Sequence, residues 1–195
     1  VASLDLYGMQ QELIEAIQKT GTPVVCVLLN GRPLSVNRIN DNIPAIVEAW
    51  FPGEAGGKAV ADVLFGDYNP GGKLPITFPK SVGQLPIYYN QKRSAIHRYV
   101  AESENPLYTF GHGLSYTTFE YANLALNTKE IKADGEIKVT IDVKNTGNYD
   151  GDEVVQLYIN DVYSSVTTPF KTLKGFKRVF IKKGETQRIE FTLTA

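Results

Sequence analysis

Apolar and polar positions change their period partway along the chain, and the change divides it into two parts. From about Met9 to Lys19, Leu13, Ile14 and Ile17 fall on one helical face, and Gly21 follows as a stop. Val24 to Leu29 is continuously apolar and rich in β-branched residues, which predicts a strand buried on both faces. A second short apolar run, Ala45 to Trp50, ends at Phe51-Pro52-Gly53. Ala55 to Phe65 then places Val60, Val63 and Leu64 at helical spacing before Gly66. Helix, strand, loop, strand and helix in this order predict parallel strands with helices packed on the sheet.

Turn residues gather at Asn69-Pro70-Gly71-Gly72. The two prolines of Leu74 to Pro79 confine that segment to a sheet edge or an extended stretch. Residues from about Ser81 to Asn105 have loop composition and contain the expected linker, which ends in Phe110-Gly111-His112-Gly113-Leu114. Beyond it the period becomes two. Ile137, Val139, Ile141 and Val143 alternate with Lys138, Thr140 and Asp142, as in a one-sided antiparallel strand. Asn145 to Asn148 reads as a turn, and Val154 to Ile159, Leu173 to Ile181 and Ile189 to Leu193 as further strands. Roughly five strands are expected, where an immunoglobulin-like sandwich has about seven. The remaining two are expected beyond Ala195.

Composition narrows the function classes. With 195 residues, 43% hydrophobic and 21% charged, the chain is long enough to bury its own core. A net charge of −1 with dispersed basic residues argues against nucleic acid or an anionic membrane as partner. No apolar run approaches the ~20 residues that span a bilayer. The single cysteine, Cys26, lies inside an apolar strand and reads as a buried structural thiol. An opening without a leader and a close inside an alternating pattern read as a piece of something larger.

The loop after Ala45–Trp50 carries the strongest local chemistry. Loops leaving the carboxyl ends of parallel strands are where open α/β sheets bind ligands. Trp50 offers an aromatic face suited to a sugar ring, and Glu54 follows at a predicted helix N-terminus, which favours a carboxylate. The bland alternative is that Trp50 packs in the core and Glu54 only caps the helix. Gly53-Glu54-Ala55-Gly56-Gly57 fails the dinucleotide spacing and sets a carboxylate where pyrophosphate would sit. His97 and His112 lack a second ligand at metal spacing. Arg98 and Tyr99 could serve a substrate or a domain interface. Asp150, Asp152 and Glu153 read as a solvated face rather than a calcium site.

Several motifs in order resemble the C-terminal region of family 3 glycoside hydrolases, especially bacterial β-glucosidases. They are Val27-Leu28-Leu29-Asn30-Gly31-Arg32-Pro33, Ala49-Trp50-Phe51-Pro52-Gly53-Glu54-Ala55-Gly56-Gly57, and Ala61 through Pro75. The segment Pro106 through Thr117, Leu173-Lys174-Gly175-Phe176 and Gly184-Glu185-Thr186 complete the set. The resemblance implies a three-part enzyme: a (β/α)₈ barrel, an α/β sandwich domain and a fibronectin-III-like domain. Such enzymes hydrolyse terminal β-linked sugars with retention, using two carboxylates about 5 Å apart. In the family the nucleophile lies on the barrel, and the acid/base lies just upstream of the stretch resembling Ser3-Leu4-Asp5-Leu6. No catalytic residue is therefore assigned here, and Glu48, Glu54, Asp62 and Asp67 are not promoted into that role.

The expected fold class is a partial α/β sandwich with a mostly parallel sheet, followed by a truncated fibronectin-III-like β-sandwich. The expected domains are residues 1–92, a linker over 93–117, and 118–195. Trp50 and Glu54 are the expected substrate-binding residues, with no catalytic residue, metal or cofactor. The parent is expected to be a retaining exo-acting β-glycosidase, with this chain inactive by itself. Its partners are expected to be a β-linked oligosaccharide or aryl glycoside, the missing barrel domain and further copies of itself. The family implies a periplasmic or secreted location. The alternative is a stand-alone carbohydrate-binding or structural module, with Tyr149, Tyr158 and Tyr163 as its aromatic surface.

Overall fold

The computed structural model describes residues 2–92 and 103–194, so His97, Arg98 and Tyr99 lie outside the described residues. The chain forms two compact units. The first takes Val1–Leu64 with Leu74–His112, and the second takes Phe65–Lys73 with Gly113–Ala195.

In the first unit, β1 (Val25–Leu28) and β2 (Ala45–Glu48) pair in parallel, with Val25 opposite Ala45 and Leu28 opposite Glu48. That is the parallel pairing expected from the element order. Helices α1 (Gln10–Gln18) and α3 (Gly56–Phe65) occur where the periodicity placed them. A short helix, α2 (Asn37–Asn42), occupies the connection between the strands. Its sequence, Asn-Arg-Ile-Asn-Asp-Asn, buries only Ile39, so it carries no apolar period from which it could be read. Cys26, Leu28, Leu34, Val36, Ile39 and Ile43 form the core of this unit, with Leu6, Ile14, Val24, Ile46 and Leu107 packed against them.

Two expectations about burial are corrected. β1 is not buried on both faces: Cys26 and Leu28 point into the core, while Val25 is 51% exposed. Alternation of successive side chains decides this, because only one face of the strand meets the core cluster. Similarly, α1 packs through Ile14, whereas Leu13 and Ile17 stay exposed. The Leu74–Pro79 segment joins no named strand and bends at Pro75 and Ile76. Its Phe78 forms an antiparallel bridge with Tyr108, the Phe78 amide donating to the Tyr108 carbonyl at 2.8 Å, and its Leu74 amide donates to the His112 carbonyl at 2.7 Å.

The second unit is a sandwich of two antiparallel sheets. One has the order β3-β4-β7 (Phe119–Leu126, Glu136–Asn145, Thr186–Thr194), and the other pairs β5 (Gly151–Ile159) with β6 (Thr172–Ile181). Inward residues of both sheets meet in one cluster of Val139, Val143, Val155, Ile181, Ile189 and Phe191. Strand β3 is mostly exposed and interrupted by a bulge between Ala122 and Ala125, where Asn123 adopts a left-handed φ of 55°. It lacks the alternation that marks its neighbours.

Asn145 ends β4 and is fully buried. Its Oδ1 accepts from the Thr117 hydroxyl (2.6 Å) and the Gly147 amide (3.1 Å). Its Nδ2 donates to the carbonyls of Tyr149 (2.8 Å) and Ile181 (2.9 Å). All four bonding positions of the carboxamide are thus filled, as burial demands.

Residues 65–73 form an arm of the second unit. Asn69 Oδ1 accepts from Ser115 Oγ and the Tyr116 amide, both at 2.8 Å, and its Nδ2 donates to the Asp150 carbonyl at 2.9 Å. Two glycines are required by close approach. A Cβ on Gly71 would come within 2.7 Å of the Asp152 carbonyl oxygen, and one on Gly113 within 2.2 Å of the Gly72 oxygen. The arm ends at Lys73, which pairs with Glu153 of β5. Glu153 is therefore not part of a solvated acidic face. It is 8% exposed and also accepts the Tyr121 hydroxyl at 2.7 Å. Its position inside the β5 ladder turns it inward, beside the lysine.

Candidate functional site

β1 and β2 run in the same direction, so their carboxyl ends place Asn30 and Glu48–Trp50 side by side. Glu48 is half-buried. Its Oε1 accepts the Trp50 backbone amide at 3.0 Å, and its Oε2 accepts Asn30 Nδ2 at 3.2 Å. Burial pushes the Glu48 carboxyl above the ordinary glutamate value, and the Trp50 and Asn30 donors only partly offset that. The same carboxylate acts on Cys26, whose thiol is raised first by burial and then by the nearby negative charge. Asn30 Nδ2 also donates to the Arg32 carbonyl at 2.7 Å, whereas the buried Asn30 Oδ1 has no hydrogen-bond partner among the described residues.

Trp50 adopts φ 52°, a left-handed backbone that L-residues enter only against steric resistance. Two contacts hold it there: the Glu48 carboxylate on its amide, and the Phe78 ring edge-on at 5.9 Å and 63°. Phe78 meets Tyr108 edge-on at 6.1 Å, and Tyr108 stacks on His112 at 5.2 Å. The Tyr108 hydroxyl donates to Asn40 Oδ1 at 2.6 Å, and burial, with Asp41 nearby, raises its pKa. An aromatic ladder therefore runs from Trp50 to His112, and His112 belongs to it rather than to any metal set.

The two sequence-predicted site residues share this loop but not an environment. Trp50 is half-buried on Phe78, whereas Glu54 is exposed in the turn before α3, and its carboxylate has no hydrogen-bond partner among the described residues. Sequence reasoning did not select Glu48 or Asn30. The available signal was an acid closing the otherwise apolar strand Ala-Ile-Val-Glu. An aromatic face beside carboxylates and a carboxamide is suited to a polyhydroxylated ring. No group of three or more His, Cys, Asp or Glu side chains able to hold a metal occurs among the described residues. No helix of the described residues is long and apolar enough to cross a membrane.

Comparison with known proteins gives a consistent picture. Residues 1–116 match the model of the glycosyl hydrolase family 3 C-terminal domain, and residues 153–195 match that of the fibronectin type III-like domain. A β-xylosidase of Formosa agariphila is 52% identical over 98% of the chain, and a periplasmic β-glucosidase of Salmonella typhimurium is 45% identical over 94%. The chain spans only 27% and 26% of those two relatives. Among solved structures, a β-glucosidase from Erythrobacter marinus superposes with a TM-score of 0.97 at 46% identity, covering all of this chain and 26% of that one. A β-glucosidase from Listeria innocua in complex with glucose gives 0.95 at 37% identity, covering all of this chain and 28% of that one.

Proposed function

The chain belongs to glycosyl hydrolase family 3, and from that premise we propose that it is the C-terminal part of a retaining, exo-acting β-glycosidase of the β-glucosidase or β-xylosidase type. Its first unit is then part of the enzyme's α/β sandwich domain, and its second a fibronectin-III-like domain. The substrate is a terminal β-linked sugar of an oligosaccharide or aryl glycoside, and the parent is periplasmic or secreted. The observation that carries this reading is the identity of 52% and 45%, sustained along nearly the whole chain, to a β-xylosidase and a periplasmic β-glucosidase.

Retention needs two carboxylates about 5 Å apart across the scissile bond, one forming the glycosyl-enzyme and the other acting as acid and then base. Two acids drawn in from the surface among the described residues are already occupied. Glu48 accepts two N–H donors, and Glu153 pairs with Lys73 and Tyr121. The catalytic pair is accordingly assigned to the rest of the parent, and the isolated chain is inactive. In this reading Trp50 and Glu54 face the substrate from one wall of the site. The test is release of nitrophenol from aryl β-glucosides and β-xylosides by the 195-residue chain and by its parent. Turnover is expected from the parent alone. Turnover by the isolated chain that disappears in Glu54→Gln overturns the reading.

A second reading, a stand-alone carbohydrate-binding module, draws on the exposure of Tyr163 (93%) and Tyr149 (62%) in the sandwich unit. The third expected member, Tyr158, is half-buried, with Lys171 Nζ 5.0 Å from its ring centroid. Calorimetric titration with cello-oligosaccharides separates the readings, because a binding module takes up ligand without the barrel. The two-stranded sheets β1-β2 and β5-β6 are short and present edges. The isolated chain is therefore proposed to self-associate, which light scattering at high concentration checks.

A further inference from the structure

We propose that Glu48 is the positioning residue of the Trp50 loop: its carboxylate holds Trp50 in the left-handed turn, and protonation of that carboxylate releases the loop. The inference concerns how the loop is held and stands apart from whether Trp50 touches a sugar.

Three observations carry it. Trp50 is one of two described non-glycine residues with positive φ, so its conformation needs an external constraint. The Glu48 carboxylate supplies one, accepting the Trp50 amide at 3.0 Å from two residues away. The carboxylate is itself fixed by Asn30 Nδ2 at 3.2 Å, from the loop that leaves β1. An ionised acceptor makes a stronger hydrogen bond than a neutral one, so protonation weakens the constraint where strain opposes it. The groups facing Glu48 are few. From β1 and its loop come Cys26 and the Asn30 carboxamide, and from its own strand end comes the Trp50 amide. Among the described residues no cation stands with the causes acting on its carboxyl, and burial dominates them, so release falls at a higher pH than protonation of an ordinary glutamate.

Trp50 is the only tryptophan in the chain, which makes the loop directly observable. The experiment follows its emission in the full 195-residue chain from about pH 8 to about pH 4, with far-UV circular dichroism in parallel. The expected result is a reversible shift in emission, with a midpoint above the ordinary glutamate value and dichroism unchanged. Glu48→Gln should show at neutral pH the emission of the acid form, with no further shift on acidification. Asn30→Ala removes a donor that stabilises the carboxylate and should move the midpoint upward. If Glu48→Gln does not fold, Glu48→Asp keeps the charge but withdraws it by one methylene, and it should give acid-like emission at neutral pH. An unchanged transition in Glu48→Gln would assign the titration to another group and would overturn the proposal. So would a flat wild-type profile, or a shift that coincides with loss of far-UV signal.

Discussion

The ammonium of Lys73 lies 3.2 Å from Oε2 of Glu153, with only 15% and 10% of the two side chains exposed. The pair joins the 65–73 arm to strand β5, and Tyr121 of β3 completes it by donating to the other carboxylate oxygen. Removing one member of a buried pair strands its partner's charge. Lys73→Met is therefore expected to destabilise by ~3–5 kcal/mol. Lys73→Met combined with Glu153→Leu should recover much of the loss. Urea unfolding of the wild type, both single variants and the double variant measures the coupling. A Lys73→Met variant within ~0.5 kcal/mol of wild type would show the pair to be idle.

Asn145 gives a sharper test of the sandwich. Asn145→Ala leaves the Thr117 hydroxyl, the Gly147 amide and the carbonyls of Tyr149 and Ile181 without their side-chain partner. At ~1–3 kcal/mol for each buried group left unpaired, a net loss of at least ~3 kcal/mol is expected. Thermal unfolding reads this loss, and hydrogen exchange should localise it to the ends of β4 and β6. Retention of wild-type stability would mean that water replaces the carboxamide.

Alkaline titration isolates Tyr121. Its phenol is pushed well above the ordinary tyrosine value, first by burial and then by the hydrogen bond to Glu153 and that residue's charge. The folded value is raised, so the neutral phenol stabilises the fold fully below the unfolded-state value of about 10. That contribution is lost as pH rises from there through the folded value. Tyr121 should ionise well after an ordinary tyrosine, with Tyr108 also delayed by burial. Tyr121→Phe should remove a late step from the ultraviolet titration and flatten the alkaline decline in stability. An unaltered late step would refute the assignment.

The substrate-facing role proposed for Trp50 is tested in the parent enzyme. Trp50→Ala should raise KM for an aryl β-glucoside about tenfold, equivalent to ~1.4 kcal/mol, with a smaller effect on kcat. Trp50→Phe keeps an aromatic face and should recover most of the affinity. An unchanged KM in Trp50→Ala would leave the ring a structural element resting on Phe78.

Sequence alone determined the elements whose period is set by one-sided burial. Alternation at Ile137, Val139, Ile141 and Val143 gave β4, and helical spacing gave α3, because packing against a core imposes those periods. The ordered motifs from Val27 through Thr186 likewise identified the family. Tertiary structure alone decided where isolated polar side chains act. Nothing in Ala-Ile-Val-Glu says that its acid will turn back onto the Trp50 amide, since that depends on β1 delivering Asn30 beside it. The composition of residues 65–73 does not reveal that Lys73 ends against Glu153, 80 residues away in the chain. Strand β3 escaped for the opposite reason: its side chains are mostly exposed, so backbone pairing with β4 formed it without leaving a pattern. Periodicity records which face a residue buries, whereas the partner it finds there depends on long-range closure of the chain.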